Sequence, residues 1–119
     1  MNYRSKTKHK HKAKPSVVDQ IRFPSKLEAN CYALLKRYQE EGKILFFLRQ
    51  IGFDLPGKNR HFVDFQVFGH NDSIFVEAKG RDLSAGKLKR TMCEDLYKVN
   101  IHVVKSATDL MKVCVKELF

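Results

Sequence analysis

The sequence predicts a mixed α/β domain, a small mixed central sheet flanked by helices in the order αβββαβ. Three observations carry that prediction. A helix-period stretch opens on a Ser-x-x-Glu pattern, three β-prone stretches follow with tight turns between them, and a second helical stretch leads into another short β-prone run. At 119 residues the chain has enough material for one core of two layers and too little for two.

Residues 1–16 are rich in Lys and His with almost nothing apolar, so they are expected to form a disordered basic arm, leaving 17–119 as a single domain. Lys and His alternate over Lys8–Lys12, but with no acidic or cysteine partner this is a poor metal site. Ordered structure is expected from about Phe23-Pro24-Ser25. Ser25 followed by Glu28 is a capping-box pattern, and Leu27, Cys31, Leu34, Leu35 and Tyr38 recur at helical spacing as far as Glu41, with Gly42 as the stop. Ile44 to Leu55 reads as a strand, with a bulge or bend at Gly52. Pro56-Gly57-Lys58-Asn59 is turn chemistry; His61 to Phe68 alternates as a second strand; Gly69-His70-Asn71-Asp72 turns again, and Ser73 to Lys79 is a third strand. A loop over Gly80–Gly86 precedes a helix over Lys87–Tyr97, a strand over Val99–Val104 and a short closing helix over Thr108–Glu117.

Composition narrows the function classes. With 43% hydrophobic and 30% charged residues, no apolar run reaches the ~18 residues of a membrane span. The basic N-terminus lacks the apolar segment of a secretory signal. Cys31, Cys93 and Cys114 are odd in number, far apart and without zinc spacing, so neither a disulfide scaffold nor a zinc finger is expected, and a reducing cytoplasm is. The net charge of +10 is uneven: residues 1–24 hold seven basic residues against Asp19 alone, a net of +6 that leaves +4 for the rest. A basic arm on a nearly balanced domain is the footprint of a polyanion binder, because neutralised phosphates release condensed counterions. Its bland counterpart is a solubilising tail.

Chemistry concentrates on the second and third strands. In Ser73–Lys79, alternation puts Phe75, Glu77 and Lys79 on one face and Ile74, Val76 and Ala78 on the other. Asp64 is centred among apolar neighbours in Arg60–Phe68, where a charge must be paired, hydrated or bound to a metal. Hairpin pairing brings Asp64 and Glu77 side by side, and a divalent cation relieves the repulsion between such carboxylates. Lys79 then lies beside the metal, placed to orient a water or steady charge on the phosphorane, and Glu28 sits at the edge of the first helix's buried stripe. An acid-x-Lys triplet carries nothing alone, since Glu41-Gly42-Lys43 is another. The informative feature is the combination of helix Glu, mid-strand Asp and strand-end Glu-x-Lys.

In that combination the sequence resembles the PD-(D/E)XK nuclease superfamily. The segments Pro24–Ala29, Arg49-Gln50, Val63-Asp64-Phe65 and Val76–Gly80 are similar to small phage-encoded endonucleases of the group, whose core Holliday-junction resolvases share, and the likeness covers roughly residues 23–105. The resemblance implies a restriction-endonuclease-like αβββαβ core and hydrolysis of DNA phosphodiester bonds with Mg²⁺ or Mn²⁺. It makes Asp64, Glu77 and the Ala78 main-chain carbonyl metal ligands, Lys79 the catalytic lysine, Glu28 a direct or water-mediated ligand, and Gln50 a supporting residue near the metal. The chain departs from the pattern in having Phe62-Val63 before Asp64 and little room for insertions between Asp64 and Glu77.

Each residue also has a plain structural reading. Asp64 can pair with Arg60 or Lys79, Glu77 with Lys79 across a solvated face, and Glu28 can close the capping box. His61 and His102 are expected at the strand surface, the phenylalanines mostly in the core, and Phe46 and Phe47 in a patch that suits a homodimer. Lys6, Lys8, Lys10, Lys12 and Lys14 of the arm, with Lys87, Lys89 and Arg90, are the expected contacts to DNA phosphates. The expected activity is thus a Mg²⁺-dependent endonuclease acting on branched DNA such as a Holliday junction, in a bacterial or phage-infected cytoplasm. The alternatives are an inactive nucleic-acid-binding protein on the same fold and a basic RNA-binding protein of ribosomal type.

Overall fold

The computed structural model describes residues 15–119. A short hairpin, β1 (Ser16–Val18) and β2 (Ile21–Phe23), precedes α1 (Lys26–Glu40). Strands β3 (Phe46–Leu55), β4 (Asn59–Phe68) and β5 (Ser73–Ala78) follow as a meander, then α2 (Ser84–Tyr97), β6 (Ile101–Val104) and α3 (Ala107–Glu117). The central sheet has the order β3-β4-β5-β6, antiparallel through β5, with β6 parallel to β5. From α1 to β6 this is the αβββαβ order expected.

Local chemistry explains most boundaries. Ser25 adopts an extended conformation and its Oγ accepts from the Glu28 N–H at 3.1 Å, which starts α1. Gly42, at φ +74°, closes the helix in the left-handed region that a residue with a Cβ avoids. Ser106 caps α3 by accepting from Asp109, whose carboxylate accepts in return from the Lys105 N–H. The Pro56–Lys58 turn holds Gly57 and Lys58 at positive φ. Helix α2 starts at Ser84, three residues ahead of the expected Lys87, with no side-chain cap and Gly86 inside it. The hairpin β1–β2 is a correction to the expected arm boundary, since Ser16 already pairs with Phe23.

Two apolar cores lie on opposite faces of the sheet. The larger joins α1 and α3 to Phe65, Val67, Ile74, Val76 and Val104; the smaller joins Cys93 of α2 to Leu55, Val63 and Ile101. Cys31 and Cys114 lie in the first and Cys93 in the second, all three unbridged and buried. Phe47 packs into the larger core against Tyr32 and Phe65, whereas Phe46 is exposed and stacks on Phe68 with ring centroids 4.5 Å apart.

One strand therefore serves both cores. Phe65 and Val67 belong to the larger core, and Val63, of the same parity, belongs to the smaller. The changeover falls at Asp64. Pairing of β4 with β5 ends at Phe65↔Val76, and pairing with β3 runs from Phe46↔Phe68 to Arg49↔Phe65 and resumes at Ile51↔Val63. Gln50 and Asp64 face each other across that gap, with Gln50 at φ +54°. The irregularity expected at Gly52 is thus at Gln50. Gly52 itself leaves room for the Arg60 guanidinium, which a Cβ there would approach to 2.4 Å.

Candidate active site

Because β4 leaves β5 at Asp64, the Ala78 N–H is free to donate to a side chain, and it donates to Asp64 Oδ2 at 2.8 Å. The other Asp64 oxygen, Oδ1, accepts from Gln50 Nε2 at 3.2 Å. The same Gln50 nitrogen donates to Glu28 Oε2 at 3.1 Å, so one amide holds carboxylates from α1 and β4 together. Glu28 is 4% exposed, and its Oε2 also meets Arg49 Nη2 at 3.5 Å. Arg49 in turn lies over the Phe23 ring, 4.4 Å from its centroid. Ser25 thus supplies its half of the capping box, while the Glu28 side chain is spent on Gln50 and Arg49.

The two carboxylates are held in a setting that penalises charge. Burial raises the Glu28 pKa, and the neighbouring Asp64 raises it further, against the opposing pull of Arg49 and Gln50. Burial likewise raises Asp64, opposed by the Ala78 N–H, Lys79 and Gln50, with Glu77 adding to the upward shift. Lys79 is half-buried at the end of β5, near enough to act on Asp64. A hard divalent cation suits such a pair, and Mg²⁺ is commonly bound through one or two carboxylates with waters completing the shell. Among the described residues no group of three or more His, Cys, Asp or Glu side chains is gathered to hold a metal. The two carboxylates share the Gln50 amide nitrogen, and Asp64 also accepts from the Ala78 N–H.

Glu77 is placed differently from the sequence expectation. Its side chain is fully buried; Oε1 meets His61 Nε2 and Oε2 accepts from Arg90 Nη1 at 3.4 Å. Arg90 makes its tighter contacts with Asp82, 3.0 and 2.6 Å to the two carboxylate oxygens, and this guanidinium holds the Asp82 carboxyl below the ordinary range. Two expectations are corrected here. His61 is buried, not at the strand surface, and Arg90 is committed to Asp82 and Glu77, not open to phosphate. Asp64 does not pair with Arg60, which bonds Asp54 at 2.9 Å; its hydrogen bonds come from Gln50 and the Ala78 N–H, with the Lys79 charge acting on it from nearby. Lys87 and Lys89 are exposed on α2, whereas Lys6, Lys8, Lys10, Lys12 and Lys14 lie outside the described residues. The Ala78 main chain meets Asp64 through its N–H.

Of the residues that sequence reasoning missed, one carried a signal. His61 shares parity with Val63, Phe65 and Val67, all buried, so the alternation of β4 points it inward. Asp82 carried none, lying in a loop with no periodicity.

Fold and site together define a small α/β domain bearing a converging carboxylate pair beside a strand-end lysine. The chain belongs to a family of proteins of unknown function (DUF1064), which it matches over residues 8–111. No curated protein and no solved structure matches it. Among the described residues no helix is long and apolar enough to cross a membrane.

Proposed function

We propose that this chain is a metal-dependent endodeoxyribonuclease of PD-(D/E)XK type. The observation that carries the reading is the convergence of Glu28 and Asp64 on Gln50, both with raised pKa, beside Lys79. Asp64 and Glu28 would hold Mg²⁺ or Mn²⁺, with the Ala78 carbonyl as a further oxygen. When bound, the cation supplies Lewis-acid polarisation of a phosphate and a more acidic water. Asp64 is locked for this duty by the Ala78 N–H, which fixes its carboxylate without taking both oxygens. Lys79 places a positive charge beside the carboxylates, where it steadies the charge that develops on a scissile phosphate.

DNA is the proposed partner. Lys87 and Lys89, exposed on α2, and the basic N-terminal residues supply affinity for the backbone that is independent of sequence. A domain this small offers little surface to a large substrate, so a two-fold homodimer acting on branched DNA in the cytoplasm completes the reading. Exposed Phe46, Leu45 and Leu48 on and beside the edge strand β3 support the dimer. One observation favours a second reading: Glu77 has both oxygens engaged, as in a protein that keeps the fold as a DNA-binding module.

Cleavage of labelled four-way junction, flap, single-stranded and duplex DNA, with Mg²⁺, Mn²⁺ or EDTA, separates the two. Metal-dependent cutting that Asp64→Asn and Lys79→Ala each reduce by at least about a hundredfold, with binding retained, is the expected result. Tight binding with no cutting of any substrate overturns the nuclease reading.

A further inference from the structure

Gln50 is an unusual residue to find where it is. It lies in the left-handed region at φ +54°, a conformation that costs a non-glycine residue about 1–3 kcal/mol and that Asn, Asp and Gly tolerate best. What it gains there is geometry: Nε2 reaches both Glu28 Oε2 and Asp64 Oδ1, spanning the space between two carboxylates. Its Oε1 takes no hydrogen bond among the described residues. Glu77 presents the opposite picture. It is fully buried, both oxygens have partners, and removing it from its place would strip buried His61 of its carboxylate.

We propose that the cation is held by Glu28, Asp64 and the side-chain carbonyl oxygen of Gln50, with Glu77 outside the ligand set as the anchor of the His61–Arg90–Asp82 network. This rests on the metal-dependent reading above and changes which residues do the holding. A side-chain amide has a donor end and an acceptor end of nearly equal size, and half a turn about its last bond exchanges them. Without metal, the N–H end faces the two carboxylates and offsets part of their repulsion. With metal, the oxygen end faces the cation as a neutral hard ligand of the kind Mg²⁺ and Mn²⁺ accept. No charged side chain serves both states. A glutamate would add a third anion to an empty site that already disfavours two, and a lysine would fill the site permanently. The left-handed backbone is the cost of aiming the amide at that point, where it meets both carboxylates and is placed to offer a neutral oxygen as a third donor.

The test is Mn²⁺ binding, followed by loss of the free-ion electron paramagnetic resonance signal, on the full chain without DNA. Wild type is compared with Asp64→Asn, Gln50→Ala, Gln50→Glu and Glu77→Gln, with circular dichroism as the check on folding. Expected are loss of binding in Asp64→Asn and weakening of at least about tenfold in Gln50→Ala. Gln50→Glu should bind at least as tightly as wild type yet melt lower when metal-free. Glu77→Gln should stay within about threefold of wild type. Binding that Glu77→Gln abolishes in a folded protein while Gln50→Ala leaves it unchanged overturns the proposal. If Glu77→Gln does not fold, the exposed Gln50 position decides alone: equal affinity of Gln50→Ala and wild type overturns it. A wild type that takes up no Mn²⁺ overturns the metal-dependent reading as well. Binding lost in Asp64→Asn but indifferent to Gln50 overturns this proposal only.

Discussion

Burial governs Glu28 and Asp64 more than any neighbouring charge does. A carboxyl whose pKa is higher in the folded than in the unfolded state binds its proton better when folded. Its contribution to stability therefore falls as pH rises from the ordinary value, 4.5 for Glu28 and 3.8 for Asp64, through the raised one, and stays low above it. In metal-free protein at pH 7 both residues thus cost stability. Asp64→Asn and Glu28→Gln should each raise stability there by about 1 kcal/mol, a few degrees in melting temperature, with the gain shrinking towards pH 4. Thermal melts in EDTA at the two pH values decide this; an equal gain at both would show that charge is not the cause. These same residues were the legible part of the site. Asp64 is conspicuous as a charge in an apolar strand, and Lys79 follows Glu77 by strand alternation. The partners of Glu77 were not legible, because Arg90 and Asp82 come from later elements and meet it only through the packing of α2.

At the scale of elements, the structure turns on how β4 is shared. Its N-terminal half belongs with α2 and its C-terminal half with α1, and the Glu77–Arg90–Asp82 contacts tie β5 to α2 across that division. Replacing Arg90 by Met takes from Asp82 its two guanidinium hydrogen bonds and leaves buried Glu77 with His61 alone. That should cost about 3–5 kcal/mol in urea unfolding, the range for breaking one side of a buried ion pair. A loss below about 1 kcal/mol would mean that the network is an ornament of the surface. Periodicity and turn chemistry made α1, the meander and the β6–α3 end readable from the sequence, since Ser25, Gly42 and Gly57 each act within a few residues. Two elements escaped for physical reasons. β1 and β2 are three residues each, too short to show a period, and their turn uses Asp19 and Gln20 at positive φ in place of a glycine. The interruption of β3 falls at Gln50 because a side chain is aimed there, which no local propensity encodes.

For the whole molecule the relevant quantity is charge and where it sits. Five arm lysines, Lys6, Lys8, Lys10, Lys12 and Lys14, stand apart from the carboxylate site in sequence, so the proposed reading assigns them affinity and not chemistry. Replacing all five by Gln in the full chain should lower the steepness of the log K against log salt plot by up to about 4.5 for duplex DNA, whatever its sequence. Cleavage by the bound enzyme should be unaffected. Fluorescence anisotropy over a salt series measures the slope, and a slope that does not move would assign the arm to solubility.

The two cores also give the molecule an internal clock. Cys31 and Cys114 lie in one and Cys93 in the other, and burial pushes the Cys31 thiol up to about 12 and Cys114 to about 11. Only a thiolate reaching solvent reacts, so a disulfide reagent in excess modifies each cysteine at the rate its own core opens. Mass spectrometry of the labelled chain thus times the α1 face and the α2 face separately, without any substitution, and shows whether the sheet's two sides loosen together or in turn.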